Sequence, residues 1–159
     1  MSGIDLEQLK NCVIIPVHNS LGAPWNSESA LVLSLGTAIH ESNAGEYLAQ
    51  IGGPALGPWQ MEPATHDDCW ANFLAYRPGL ANAVYQFQFP KFGAGQMAWN
   101  LAYACAMARV KYIRAEPPIP AANDFVGMAN YYKQFYNSSI GAAVVGPELV
   151  ECFSKALAA

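Results

Sequence analysis

Few side chains in this sequence can do acid–base work, so the placing of two glutamates carries information. Of 159 residues only 13% are charged: 8 Lys and Arg against 12 Asp and Glu. Glu41 closes the run "ALVLSLGTAIHES" at residues 30–42, whose apolar stretch from Ala30 to Ile39 reads as a buried helix. A carboxylate there faces the negative end of the helix dipole and is poorly hydrated by its apolar neighbours. Both effects raise its pKa. That environment keeps a carboxylic acid protonated near neutral pH, which is what a general acid for glycosidic cleavage needs. Glu62 follows a stretch carrying Gly52, Gly53, Pro54, Gly57 and Pro58, with Pro63 next to it. Glycine and proline at that density exclude a helix over 48–63 and predict a short irregular β-hairpin.

The elements that must position these acids read mostly as helices. A short helix over 4–11 is expected to stop before a break at Pro16 and a loop through Gly22 and Pro24. Ser27 is a natural N-cap with Glu28 in the first turn, and Asn43 and Gly45 suit the exit from that helix. Thr65 with Asp67 and Asp68 opens a helix to about Leu74, and "RPG" at 77–79 reads as a turn. The run "AGQMAWNLAYACAMARVKYIR" at 94–114 predicts a long central helix, apolar on nearly every side. Pro117, Pro118 and Pro120 make a stiff connector. Asn123 or Asp124 caps a helix to about Tyr136, and Gly146-Pro147-Glu148 starts the last one. The expected fold is mainly α, of α+β type, with one small β-hairpin lining a cleft, in a single domain over 1–159.

Composition narrows the function further. The formal net charge is −4 and no basic cluster occurs, which argues against nucleic acid, whose binding leans on Lys and Arg neutralising phosphates. It is also a poor charge for clinging to anionic membranes. No run approaches the roughly 18 apolar residues of a membrane span, and "MSGIDLEQLKNCVIIPVHN" lacks the apolar core of a signal peptide. The expectation is synthesis in a cytoplasm. Cys12, Cys69, Cys105 and Cys152 form no C-x-x-C pair and read as reduced thiols. "HESNA" lacks the second histidine of a zinc-protease helix, since residue 44 is Ala, and the remaining His and Cys make no tetrahedral set. There is no phosphate loop and no G-x-S-x-G elbow. No metal and no cofactor is called for.

Glu41-Ser42 followed by "GPWQMEPAT" at 57–65 resembles the lysozyme-like lytic transglycosylases, in particular phage-encoded forms. Their signature is a helix-ending Glu-Ser, then Gly-Leu-Met-Gln-Ile-Met-Pro-x-Thr. Gly57, Gln60, Met61, Pro63 and Thr65 fall in register with it, while Pro58 stands for the Leu and Glu62 for the second Met. The resemblance covers residues 31–70. Beyond it, "NLAYACAMARVKYI" is the analogue of the family's Asn-Ile helix. "MANYYKQFYN" corresponds to a segment whose tyrosine lines the cleft, so Tyr131, Tyr132 and Tyr136 compete for that place, with Tyr131 taken as the candidate.

The resemblance implies cleavage of the bond between N-acetylmuramic acid and N-acetylglucosamine in bacterial peptidoglycan. Glu41 would protonate the glycosidic oxygen, the substrate's acetamido group would stabilise C1, and Glu41 would then deprotonate the 6-hydroxyl to leave a 1,6-anhydro end. This is the substrate-assisted exception to the two-carboxylate scheme. Ser42, Gln60, Met61 and Tyr131 would contact substrate. Goose-type lysozymes, similar in fold, place an aspartate near the Glu62 position. Glu62 therefore keeps open an inverting hydrolysis, which needs two carboxyls about 6.5–9.5 Å apart. Asp67 and Asp68 are weaker candidates for that second acid, and Trp59 and Trp70 could stack on sugar rings. The implied partners are glycan strands and other virion proteins, with action at the cell wall from a virion or at lysis. A structural virion protein that keeps the fold without useful activity is the rival.

Overall fold

A computed structural model describes residues 3–137 and 145–159, and their regular structure is helical. Two short helices, α1 (Leu6–Leu9) and α2 (Ile15–Leu21), are joined through a π-turn at Lys10–Ile14. Then come α3 (Glu28–Ser42), α4 (Pro63–Asn72), α5 (Pro78–Tyr85), α6 (Leu101–Ile113), α7 (Phe125–Phe135) and α8 (Pro147–Ala158). Two 3-10 segments, Leu74–Tyr76 and Pro90–Ala98, link α4 to α5 and α5 to α6. None of the described helices is long and apolar enough to cross a membrane.

The core is built on α3 and α6, each buried on most of its circumference, as their nearly uninterrupted apolar sequences require. The α3 helix packs most closely on α8, and Gly36 makes that possible: a Cβ there would lie 2.2 Å from Cδ1 of the buried Phe153. Ser27 caps α3 by accepting from the Ala30 N–H at 3.2 Å. At the far end Asn43 and Ala44 both take positive φ, and their N–H groups close on the carbonyls of Ile39 and Ala38 at 2.9 Å each. That left-handed exit satisfies carbonyls the helix would otherwise leave unpaired.

Several expectations are corrected. Among the described residues there is no β-strand, so the β-hairpin over 48–63, and with it the α+β class, gives way to an all-helical frame with an irregular loop. Only two isolated bridges survive, Ala49 with Leu56 and Leu56 with Met61. Pro54 and Pro58 have no N–H to give a ladder, and Gly57 and Gln60 take positive φ, which turns the chain out of an extended path. Pro16 breaks nothing. It sits in the first turn of α2, where a missing N–H costs little, directly after the wider π-turn. Likewise Pro63 and Pro78 start helices, so "RPG" opens α5 and is not a turn. The long helix expected from 94 starts only at Leu101. Gly93 has φ 50°, and Asn100 caps α6 by accepting from the Tyr103 N–H at 3.1 Å.

The Gly36–Phe153 contact gives a direct test. Gly36→Ala should lower unfolding free energy by about 1–3 kcal/mol through overpacking. Gly79→Ala, in the first turn of α5 with open space around it, should be neutral or gain up to about 1 kcal/mol. Urea denaturation of the two variants beside the parent measures both.

Candidate active site

The end of α3 and the loop after it both wall a polar cleft of about 650 Å³, to which the helix contributes Glu41 and the loop Gln60, Met61 and Glu62. The clamp between the walls is Ser42. Its buried hydroxyl donates to the Pro58 carbonyl at 2.7 Å and accepts from the Gly45 N–H at 2.8 Å. The loop in turn is closed on the Gly57 carbonyl, which accepts from the Gln60 N–H at 3.0 Å and from its amide Nε2 at 2.9 Å. Gly57 must be glycine: φ is 74°, and a Cβ would stand 2.3 Å from the Met97 carbonyl oxygen. Beneath the loop, Trp59 is fully buried and donates from Nε1 to the Ser34 carbonyl at 2.9 Å. Its own carbonyl accepts from Tyr136 Oη at 2.7 Å.

Glu41 is half-buried, and Tyr132 donates its hydroxyl to Oε1 at 2.5 Å. Burial pushes the Glu41 pKa up from its ordinary value of 4.5, and the Tyr132 hydrogen bond and the nearby Lys111 cation partly offset that rise. Lys111, from α6, also lines the cleft and donates to the Tyr136 carbonyl. Its own pKa is lowered by burial and partly restored by charges that include Glu41 and Glu62. The cleft therefore holds one acid whose pKa burial raises, one exposed acidic side chain, and a cation from α6.

The residues singled out in the sequence distribute unevenly. Glu41, Gln60, Met61 and Glu62 line one cleft. Met61 is nearly buried, and its backbone exchanges hydrogen bonds with Leu56 at 3.0 and 3.1 Å. Ser42 does not reach the cleft, because its hydroxyl is spent on backbone groups. Tyr131 points elsewhere and donates to the Pro117 carbonyl at 2.9 Å. Of the three competing tyrosines, Tyr132 touches Glu41 and Tyr136 lines the cleft. Adjacent residues on a helix differ by roughly 100° in direction, so the choice among them turns on how α7 is rotated. Asp67 bonds His66 at 2.7 Å, and Asp68 pairs with Arg114 at 2.6 Å; neither faces Glu41. Trp70 donates to Tyr103 Oη at 2.8 Å, away from the cleft lining. Lys111 was missed, although it stands out as a cation inside an apolar helix.

Among the described residues no group of three or more His, Cys, Asp or Glu could hold a metal ion, and the four cysteines are free thiols. No family model, curated protein or solved structure matches the chain.

The raised Glu41 pKa has a signed consequence. Below pH 4.5, the ordinary value, the carboxyl is protonated folded and unfolded, and its contribution to stability is fully present. Between that value and the folded pKa only the unfolded chain ionises, so stability falls as pH rises, and it levels off above the folded pKa. Glu41→Gln should remove this fall and leave the protein at least as stable at pH 7. Tyr132→Phe should push the Glu41 pKa higher still, read by carbon-13 NMR titration of the carboxyl.

Proposed function

We propose that this protein cleaves the glycan backbone of bacterial peptidoglycan, with Glu41 as general acid and then base. The observation that carries the reading is the setting of Glu41: a carboxyl at a helix end, kept toward its neutral form by burial, held by Tyr132, and open to a polar cleft. The spacing from Glu41-Ser42 to the 57–65 segment, in register with the lytic transglycosylase signature, supports the same reading. Glu41 delivers its proton to the glycosidic oxygen as the bond to C1 breaks. The substrate's acetamido oxygen compensates the charge developing at C1, so the protein needs no carboxylate nucleophile. Glu41, now ionised, takes the proton of the 6-hydroxyl as that oxygen closes on C1, and the product carries a 1,6-anhydro ring. The Tyr132 hydrogen bond and the Lys111 charge stabilise the carboxylate between the two steps.

A second reading rests on Glu62. It lines the same cleft, is exposed, and its side chain does not cap α4 although it occupies the N-cap position. A second carboxylate in the same cleft could activate a water for inverting hydrolysis. The proposed setting is a bacterial wall reached from a phage virion or at lysis, with other virion proteins as partners.

Mass spectrometry of products from purified peptidoglycan tests the reading. The expected outcome is muropeptides ending in 1,6-anhydro-muramic acid, with Glu41→Gln losing at least about 100-fold of the rate and Glu62→Gln keeping most of it. Reducing ends that have gained water, lost in Glu62→Gln, would establish the hydrolase. No products at all would leave a structural virion protein.

A further inference from the structure

A second recess, of about 370 Å³, shares no residue with the Glu41 cleft and has a buried cation in its wall. Arg109, on α6, is only 4% exposed. Its Nε donates to the Trp25 carbonyl at 3.0 Å, while Nη1 is buried with no partner. No carboxylate pairs with it among the described residues; the titratable groups that act on it are Tyr131, Tyr112 and Cys105, and it acts in turn on His18. His18 is fully buried and bonded through Nε2 to Ser34 Oγ at 3.0 Å. Burial and the Arg109 charge hold His18 near a pKa of about 3, so it adds no positive charge, and its Nδ1 too lacks a partner. Burial lowers Arg109 only to about 10, so the guanidinium is charged at neutral pH.

An unpaired buried guanidinium is costly. A water could satisfy an N–H group, but it would leave the charge uncompensated. The matching group is a planar oxyanion that takes two parallel hydrogen bonds from the fork. The rest of the lining is mixed, with Ser27, Ser29 and Glu116 beside apolar and aromatic groups: the Trp25 ring lies 6.0 Å from the guanidinium carbon, and Pro117 and Tyr131 form another part of the wall. One cation without a second favours a single negative charge. We infer that this recess binds a small monocarboxylate, its two oxygens on the Arg109 fork and its apolar body between Trp25 and the Pro117–Tyr131 wall. Glu116, exposed in the same lining, opposes the anion without pairing with Arg109.

Benzoate is a suitable probe, with benzyl alcohol as its uncharged counterpart and inorganic phosphate as the dianion. The nitrogen-15-labelled full chain is titrated with each, following the Trp25 indole and Arg109 Nε–H resonances. The expected result is a saturable shift with benzoate, none with benzyl alcohol, and weaker binding of phosphate. Arg109→Lys, which keeps the charge and loses the fork, should weaken benzoate by roughly tenfold or more. Glu116→Gln, an exposed change that leaves the fold alone, should tighten it. Absence of a saturable response in the parent chain would overturn the proposal. So would equal response to benzyl alcohol, tighter phosphate binding, or benzoate affinity weakened by Glu116→Gln. These outcomes do not depend on any activity at Glu41.

Discussion

The hydrogen bond from Ser42 to the Pro58 carbonyl is the contact on which the arrangement of the cleft depends. It ties the last residue of a buried helix to an irregular loop that has no sheet to hold it. A loop of this composition would otherwise carry a large conformational entropy. Three further anchors work with it: the Gly57 carbonyl taking two bonds from Gln60, Trp59 filling the core with its indole on Ser34, and Tyr136 donating to the Trp59 carbonyl. The Gln60 bonds close the loop on itself and the other two tie it to buried parts of α3 and to Tyr136, so tertiary bonds hold it where a hairpin would use a ladder.

The Glu41 carboxyl is placed by the same logic. Its helix cannot shift, because Gly36 is in contact with Phe153 and the left-handed exit at Asn43 and Ala44 locks the end. Its hydroxyl partner comes from α7, and the cation that moderates its charge comes from α6. Three helices distant in sequence thus set the protonation of one group. Burial outweighs the hydrogen bond and the cation, so the pKa stays above its ordinary value, while those two groups keep the ionised form within reach. A group poised in this way can serve in both directions of proton transfer.

Polar groups in the two regions contrast. In the Glu41 cleft the buried donors and acceptors are largely satisfied, and the cation sits among carboxylates. Around Arg109 the balance is reversed: two buried nitrogens, one on Arg109 and one on His18, have no partner, and among the described residues no carboxylate pairs with the guanidinium. Buried polar groups are paired in the great majority of cases, so an unpartnered guanidinium nitrogen on a residue that lines an open recess separates that site from ordinary core.

The sequence by itself determined the helical character of the chain, the caps at Ser27 and at Asp124 or its neighbour in outline, and Glu41 as an acid at the end of a buried helix. These follow from local chemistry: apolar runs, short polar caps and dipole ends act over a few residues. Proline was misread at positions 16 and 78 because its missing N–H is equally at home in a first helical turn as in a break. The tertiary structure alone decided that 48–62 is a loop without strands, that Ser42 clamps instead of facing the cleft, and that Tyr132, not Tyr131, meets Glu41. It alone decided that Lys111 joins the cleft and that Arg109 is left unpaired. Strand pairing, helix rotation and the company of a buried charge depend on which distant segments meet, and no local pattern carries that information.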